Sequence, residues 1–178
     1  SSRSSSTSKR TNSRVSSVKH ADKIVRDWPT LLRHVESAPK PLVFTNGCFD
    51  ILHRGHITYL EEASDLGATL VVALNSDHSI QALGKAPDRP INPLEDRMAV
   101  IAALSSVDWV TAFDDPTPID LIRALKPNCL VKGGDWVIEK IIGAEVVLAN
   151  AGTVHSIPIK YQRSTTALLE QVRTGNNS

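Results

Sequence analysis

Pro41-Leu42-Val43-Phe44-Thr45-Asn46-Gly47-Cys48-Phe49-Asp50-Ile51-Leu52-His53-Arg54-Gly55-His56 is the stretch on which the reading of this chain turns. It opens in an apolar run of strand type and passes through a glycine-containing turn. It then sets two histidines around one glycine, just ahead of a helical pattern. A strand that turns through small residues into a helix N-terminus makes an anion site, because unpaired backbone N–H groups and the positive dipole end face one point. Two imidazoles there add donors without a permanent charge. The chemistry this predicts is the handling of nucleotide phosphate.

Working outward, strands and helices alternate. An amphipathic helix is expected over 24–35, with Pro29 in its first turn. Strands are expected over 42–46, 69–74, 108–113, 128–132 and 153–157, each a short apolar run of buried, parallel type. Helices are expected over 55–66, closed by Gly67, over 76–83, and from an Asn92 cap with Pro93 first to about 104. Three more are expected over 117–125, about 141–150, and from a Ser164 or Thr165 cap to about 172. Residues 84–90 hold one glycine and two prolines and read as a loop. Five strands alternating with helices predict an α/β fold with a doubly wound, five-stranded parallel sheet and right-handed crossovers. Ligands of such sheets bind beyond the carboxyl ends of the strands. The segments 45–50, 75–77, 132–135 and 163–166 follow four different strands and converge on that rim.

Composition narrows the function. A chain of 178 residues with 41% hydrophobic content fits one domain, over 20–178, behind a tail over 1–19. The tail is rich in serine, carries Arg3, Lys9, Arg10, Arg14 and Lys19, contains no acid, and is expected to be disordered. It lacks the amphipathic stripe of an organellar transit peptide. A net charge of +1 gives no ground for bulk attraction to nucleic acid or membrane. No apolar run approaches the roughly 18 residues of a membrane span. Two cysteines, Cys48 and Cys129, form no disulfide framework and suit the reducing cytoplasm. Neither a Walker A sequence nor a G-x-G-x-x-G after a strand occurs.

The run Gly47-x-Phe49-Asp50-x-x-His53-x-Gly55-His56 resembles the signature of the HxGH nucleotidyltransferases, which include cytidylyltransferases and several adenylyltransferases. Residues from about 24 to 173 resemble, more narrowly, the branch that adenylates heptose 1-phosphate. That likeness rests on 45–56, on 73–77, on Arg89-Pro90-Ile91-Asn92-Pro93-Leu94-Glu95-Asp96-Arg97-Met98, on Leu130-Val131-Lys132-Gly133-Gly134-Asp135, and on Ser164-Thr165-Thr166. It implies a Rossmann-like nucleotidyltransferase fold. It also implies in-line transfer of AMP from ATP to a sugar 1-phosphate with loss of pyrophosphate, Mg²⁺ accompanying ATP, and a product used for lipopolysaccharide core. A homodimer is the assembly it points to. A fused sugar-kinase domain occurs in some relatives, and the length here leads us to expect a stand-alone transferase.

The resemblance gives His53 and His56 the catalytic task of stabilising charge on the phosphates. It assigns nucleotide contacts to Thr45, Asn46, Gly47, Phe49, Arg97, Ser164, Thr165 and Thr166. The residues themselves suggest more. Gly55 permits close backbone approach, and Lys85 and Arg89 sit in a cationic loop suited to act as a lid, with Lys85 a catalytic candidate. Lys132 suits a phosphate, while Gly134 and Asp135 suit a sugar, the carboxylate accepting from hydroxyls. Asn75 and Asp77, after the second strand, are candidates for the same substrate. Asp50 either orients the turn, caps it or meets the sugar, and Trp136 either stacks on a ligand or packs. No protein metal ligand set is expected. Two other functions stand beside this one: a glycerol-3-phosphate cytidylyltransferase, and a catalytically silent nucleotide-binding scaffold.

Overall fold

Short apolar strands set the core, and both faces of the resulting sheet are covered. The computed structural model describes residues 19–84, 86–161 and 165–175. The strands are β1 (Leu42–Gly47), β2 (Thr69–Asn75), β3 (Trp109–Phe113), β4 (Cys129–Gly133) and β5 (Thr153–Ile157). The helices are α1 (Trp28–Ser37), α2 (Arg54–Ser64), α3 (Asp77–Ala82), α4 (Leu94–Ala102), α5 (Ile119–Leu125), α6 (Ala144–Ala149) and α7 (Thr165–Thr174). All strand pairs are parallel, in the order β3-β2-β1-β4-β5, so the switch point lies between β1 and β4. The expected doubly wound, five-stranded sheet is therefore present.

Alternation along β1 sorts the two faces. Val43 joins Tyr59 and Leu60 of α2, Met98 and Ile101 of α4, and Val72 and Val131 of the neighbouring strands. Leu42 and Phe44 join Leu31 of α1, Leu121 and Ile122 of α5 and Val147 of α6. β2, the strand beside β1, is buried along its whole length, which is why it reads as an unbroken apolar run. No described helix is long and apolar enough to cross a membrane.

Three local expectations need correction. The segment 24–35 is not one helix. Residues His20–Lys23 form a 3₁₀ turn, Ile24 bridges in parallel to Val110, and Val25 N–H donates to Val110 O at 2.8 Å. This covers the open edge of β3, and α1 starts only at Trp28, capped by Asp27. Asn92 is not the cap of α4; Pro93 holds that position and Asn92 is spent elsewhere. Gly67 does not act through a left-handed conformation. A β-carbon there would lie 2.5 Å from Pro41 O and from Val43 Cγ2, so glycine is required by close approach to the start of β1.

Gly67→Ala should therefore lower stability by about 1–3 kcal/mol, the cost of forcing atoms into a filled site. Urea denaturation with an unchanged m-value checks this; a wild-type midpoint would contradict it.

Candidate active site

The site grows from the turn after β1. Phe49 has φ of 47°, a left-handed conformation that costs a non-glycine residue about 1–2 kcal/mol. Packing sustains it. The ring is buried, lies against Gly47, where a β-carbon would come within 2.9 Å of Phe49 Cε2, and meets His56 edge-on at 5.6 Å. Asp50, one residue on, is buried. Its carboxylate accepts from Arg89 Nε at 2.7 Å, from Ile91 N–H at 2.9 Å and from Asn92 N–H at 2.9 Å. Asn92 Nδ2 returns a bond to Asp50 O at 2.6 Å. Burial pushes the Asp50 pKa up, but the Asn92 and Ile91 N–H groups and the Arg89 guanidinium outweigh it and hold it below the usual value. Asp50 and Arg89 thus bind each other, and Asp50 takes the turn-orienting role, one of those expected of it.

Arg97 is a second buried charge. Its side chain has no exposure, and its guanidinium donates to Cys48 O and Asn75 O at 2.8 Å each, to Asn92 O at 3.0 Å and to the Asp77 carboxylate at 2.7 Å. It fastens the ends of β1 and β2 to α4. Asp77 is held by the same ion pair. Thr45 is likewise interior: its hydroxyl meets Tyr59 OH at 2.5 Å, and Tyr59 donates on to Val131 O at 3.3 Å. Phe49 places its ring in the core.

The histidines replace the expected open cradle of amides with something more specific. His53 is the N-cap of α2, and its Nδ1 accepts from Gly55 N–H at 3.1 Å. His56 Nδ1 accepts from His53 N–H at 3.3 Å. With Nδ1 an acceptor in both, each neutral ring carries its proton on Nε2. The rings lie 4.0 Å apart. Burial first, and then the neighbouring His53, lower the His56 pKa from 6.5 to about 4. His56 is therefore a neutral N–H donor at physiological pH. Gly55 does not face a phosphate: its N–H is taken, and a β-carbon would lie 2.6 Å from Lys160 O.

The chain after β5 folds back on this helix start. Arg54 stacks over the Tyr161 ring at 3.9 Å, and Lys160 pairs with Glu62 at 2.6 Å. α7 begins at Thr165, four residues beyond Tyr161, and Arg173 at its far end pairs with Asp88 of the 84–90 loop. Thr166 is exposed there. Lys85 and Ser164 lie outside the described residues.

On the other side of the turn, a cleft of about 350 Å³ opens on the rim between β1, β2 and β4. Asn46, Gly47, Asn75 and Lys132 line it, as the sequence led us to expect of rim residues. Gly134 has φ of 111°, which only glycine adopts freely, and Asp135 beside it is exposed at the lip. Cys48, Thr117, Trp136 and Lys140 also line the cleft. The sequence reading passed over Cys48, Thr117 and Lys140 as site residues, though Thr117 and Lys140 follow strands and fall under the same rim rule.

Among the described residues, no group of three or more His, Cys, Asp or Glu side chains is placed to hold a metal ion.

A parallel sheet with paired imidazole donors at its switch point defines a nucleotidyltransferase of Rossmann type. The cytidylyltransferase-like family pattern matches residues 44–168, and this chain belongs to that family. It is 53% identical over 137 residues to a D-beta-D-heptose 1-phosphate adenylyltransferase of Bordetella bronchiseptica, covering 77% of this chain and 85% of that protein. It is 52% identical over 132 residues to the bifunctional protein HldE of Pseudomonas entomophila, covering 74% of this chain but only 28% of that protein. Among solved structures, a lipopolysaccharide core biosynthesis protein of Thermoplasma volcanium superposes with a TM-score of 0.55 at 31% identity, over 68% of this chain and 98% of that one.

Two outcomes follow from the site. Arg97→Met strands three carbonyls and should cost about 3–5 kcal/mol by urea denaturation, as removal of one buried charged partner does. A loss below about 1 kcal/mol would contradict the stapling role. The lowered His56 pKa sets a pH dependence. Below pH 6.5 the unfolded chain takes up a proton that the native chain refuses, so stability should fall as pH drops from 6.5 towards 4. His56→Gln should flatten that part of the stability–pH curve; an unchanged slope would show that His56 is not held neutral.

Proposed function

We propose that this chain transfers AMP from ATP to D-glycero-D-manno-heptose 1-phosphate, giving ADP-heptose and pyrophosphate. The observation that carries the reading is the His53–His56 pair, locked by its Nδ1 bonds as neutral Nε2 donors at the switch point. The likeness to a named heptose 1-phosphate adenylyltransferase supports the choice of substrates.

A phosphate oxygen of the sugar attacks the α-phosphorus of ATP in line. The new O–P bond forms as the bond to the β-phosphate bridging oxygen breaks, and pyrophosphate leaves with the electron pair. The nucleophile is a phosphate, largely ionised at pH 7, so no general base is needed. That agrees with the site, where Asp50 is consumed by Arg89, Ile91 and Asn92. What the reaction needs is positioning and neutralisation of growing charge. The two imidazoles serve this by donating to phosphate oxygens. Lys85, Ser164, Thr165 and Thr166 complete the triphosphate side in this reading, while Asp135 and Gly134 meet the sugar. Asp50, Arg89 and Arg97 act as positioning residues. Mg²⁺ would accompany ATP as part of that substrate and would supply charge neutralisation. We assign the reaction to the cytoplasm.

Pyrophosphate release with ATP and with CTP, against heptose 1-phosphates and glycerol 3-phosphate, tests the assignment. Turnover with ATP and heptose 1-phosphate is expected. Preference for CTP and glycerol 3-phosphate would replace this reading with the cytidylyltransferase one, and nucleotide binding without release would leave a silent binding protein. His56→Ala should fold and lose roughly 10²–10³-fold in kcat, the scale for one preorganised donor. A folded variant with near-wild-type turnover would remove His56 from the chemistry.

A further inference from the structure

We infer that Lys140 and Trp136, together with Lys132, form the seat of the acceptor: the two lysines hold its phosphate and the indole carries its sugar ring. The inference rests on the adenylyl-transfer reading above and names the residues that select its second substrate.

Two faces of the sheet meet at the β1 turn. The histidines sit on α2, on the face that Val43, Val72 and Val131 help to fill. The cleft lies on the opposite face. Asn46 and Lys132 each stand two positions beyond Phe44 and Leu130, so they project to the side of α5 and α6. The loops leading into those two helices supply Thr117 and Ile141 to its wall. In-line displacement puts the attacking oxygen and the leaving group on opposite sides of the α-phosphorus. A donor pair on one side of the turn and a separate cleft on the other match that division.

The charge of the cleft matches the nucleophile. Lys132 and Lys140 line it, and among the described residues no Asp or Glu does. An anionic phosphate that attacks an anionic triphosphate must have its repulsion offset on its own side. Two ammonium groups on two different segments, the end of β4 and the 3₁₀ turn Ile138–Lys140, provide this.

Trp136 adds the sugar. Its side chain is half-exposed, yet it is fixed. Nε1 donates to Gly133 O at 3.1 Å and the backbone N–H donates to Ser156 Oγ at 3.0 Å. Lys132 Nζ stands 5.8 Å from the ring centroid. An indole held rigid at the lip of a cleft offers an apolar face at little further entropic cost, and the C–H face of a sugar ring is its fitting partner.

The test separates the substrates. Steady-state kinetics with ATP and D-glycero-D-manno-heptose 1-phosphate should give Lys140→Met a KM for the sugar phosphate raised about tenfold, with the ATP KM unchanged and much of the loss recovered in Lys140→Arg. Trp136→Ala should raise the sugar-phosphate KM as well, with kcat falling less than KM rises. Tryptophan fluorescence gives a second readout that needs no turnover. Heptose 1-phosphate should change the emission of the wild type, require higher concentrations in Lys140→Met, and lose most of its effect in Trp136→Phe. Wild-type KM in both Lys140→Met and Trp136→Ala would overturn the inference. A raised ATP KM with the sugar term unmoved would do so too, by giving the cleft to the triphosphate. If the wild type releases no pyrophosphate, the adenylyl-transfer reading fails instead, and the fluorescence titration still decides the cleft: binding lost in Lys140→Met supports it, and binding unaffected by the substitution refutes it.

Discussion

The site depends on one buried guanidinium. Arg97 reaches from α4 into the floor beneath the β1 turn and donates to groups on three separate segments. Its planar fork satisfies carbonyls that the ends of β1 and β2 would otherwise leave unpaired, which a lysine's single ammonium would not do. Asp50 makes the reciprocal reach, from the β1 turn into the loop ahead of α4. The two charged side chains cross, so the turn and the 89–97 segment behave as one unit. Phe49 keeps its left-handed backbone because that unit leaves it no other place.

On this floor the histidines gain their chemistry from helix capping. The Nδ1 bonds that satisfy amides at the start of α2 also decide which nitrogen carries the proton. Burial then disfavours the imidazolium of His56, so its donor stays neutral through the physiological range. A neutral donor stabilises developing charge without drawing the triphosphate into an overly tight ground state. The lysines that line the cleft, Lys132 and Lys140, stand across the sheet from this pair.

The return of the chain after β5 closes the histidine side. Tyr161 on Arg54 and Lys160 on Glu62 tie the chain after β5 to α2, and Arg173 on Asp88 ties α7 to the loop ahead of α4. These are surface contacts of modest individual strength.

The amino-acid sequence by itself determined the alternation of strands and helices, the parallel sheet, the rim on which the polar segments gather and the histidine pair at a helix start. Those follow from periodicity and turn chemistry, which are local. It did not determine which polar residues face a ligand. Thr45, Asp50, Arg89 and Arg97 all carry groups suited to a phosphate or a sugar, and all are taken up by protein partners. Arg97 and Cys48 are 49 residues apart, and Asp50 and Asn92 are 42 apart. Only the tertiary structure decides such partnerships, because a buried donor bonds to whatever acceptor packing brings within about 3 Å. The same holds for the start of the chain. Residues 24–35 have helical periodicity throughout, yet Ile24 and Val25 pair with β3, because an open sheet edge offers backbone bonds that no local pattern records.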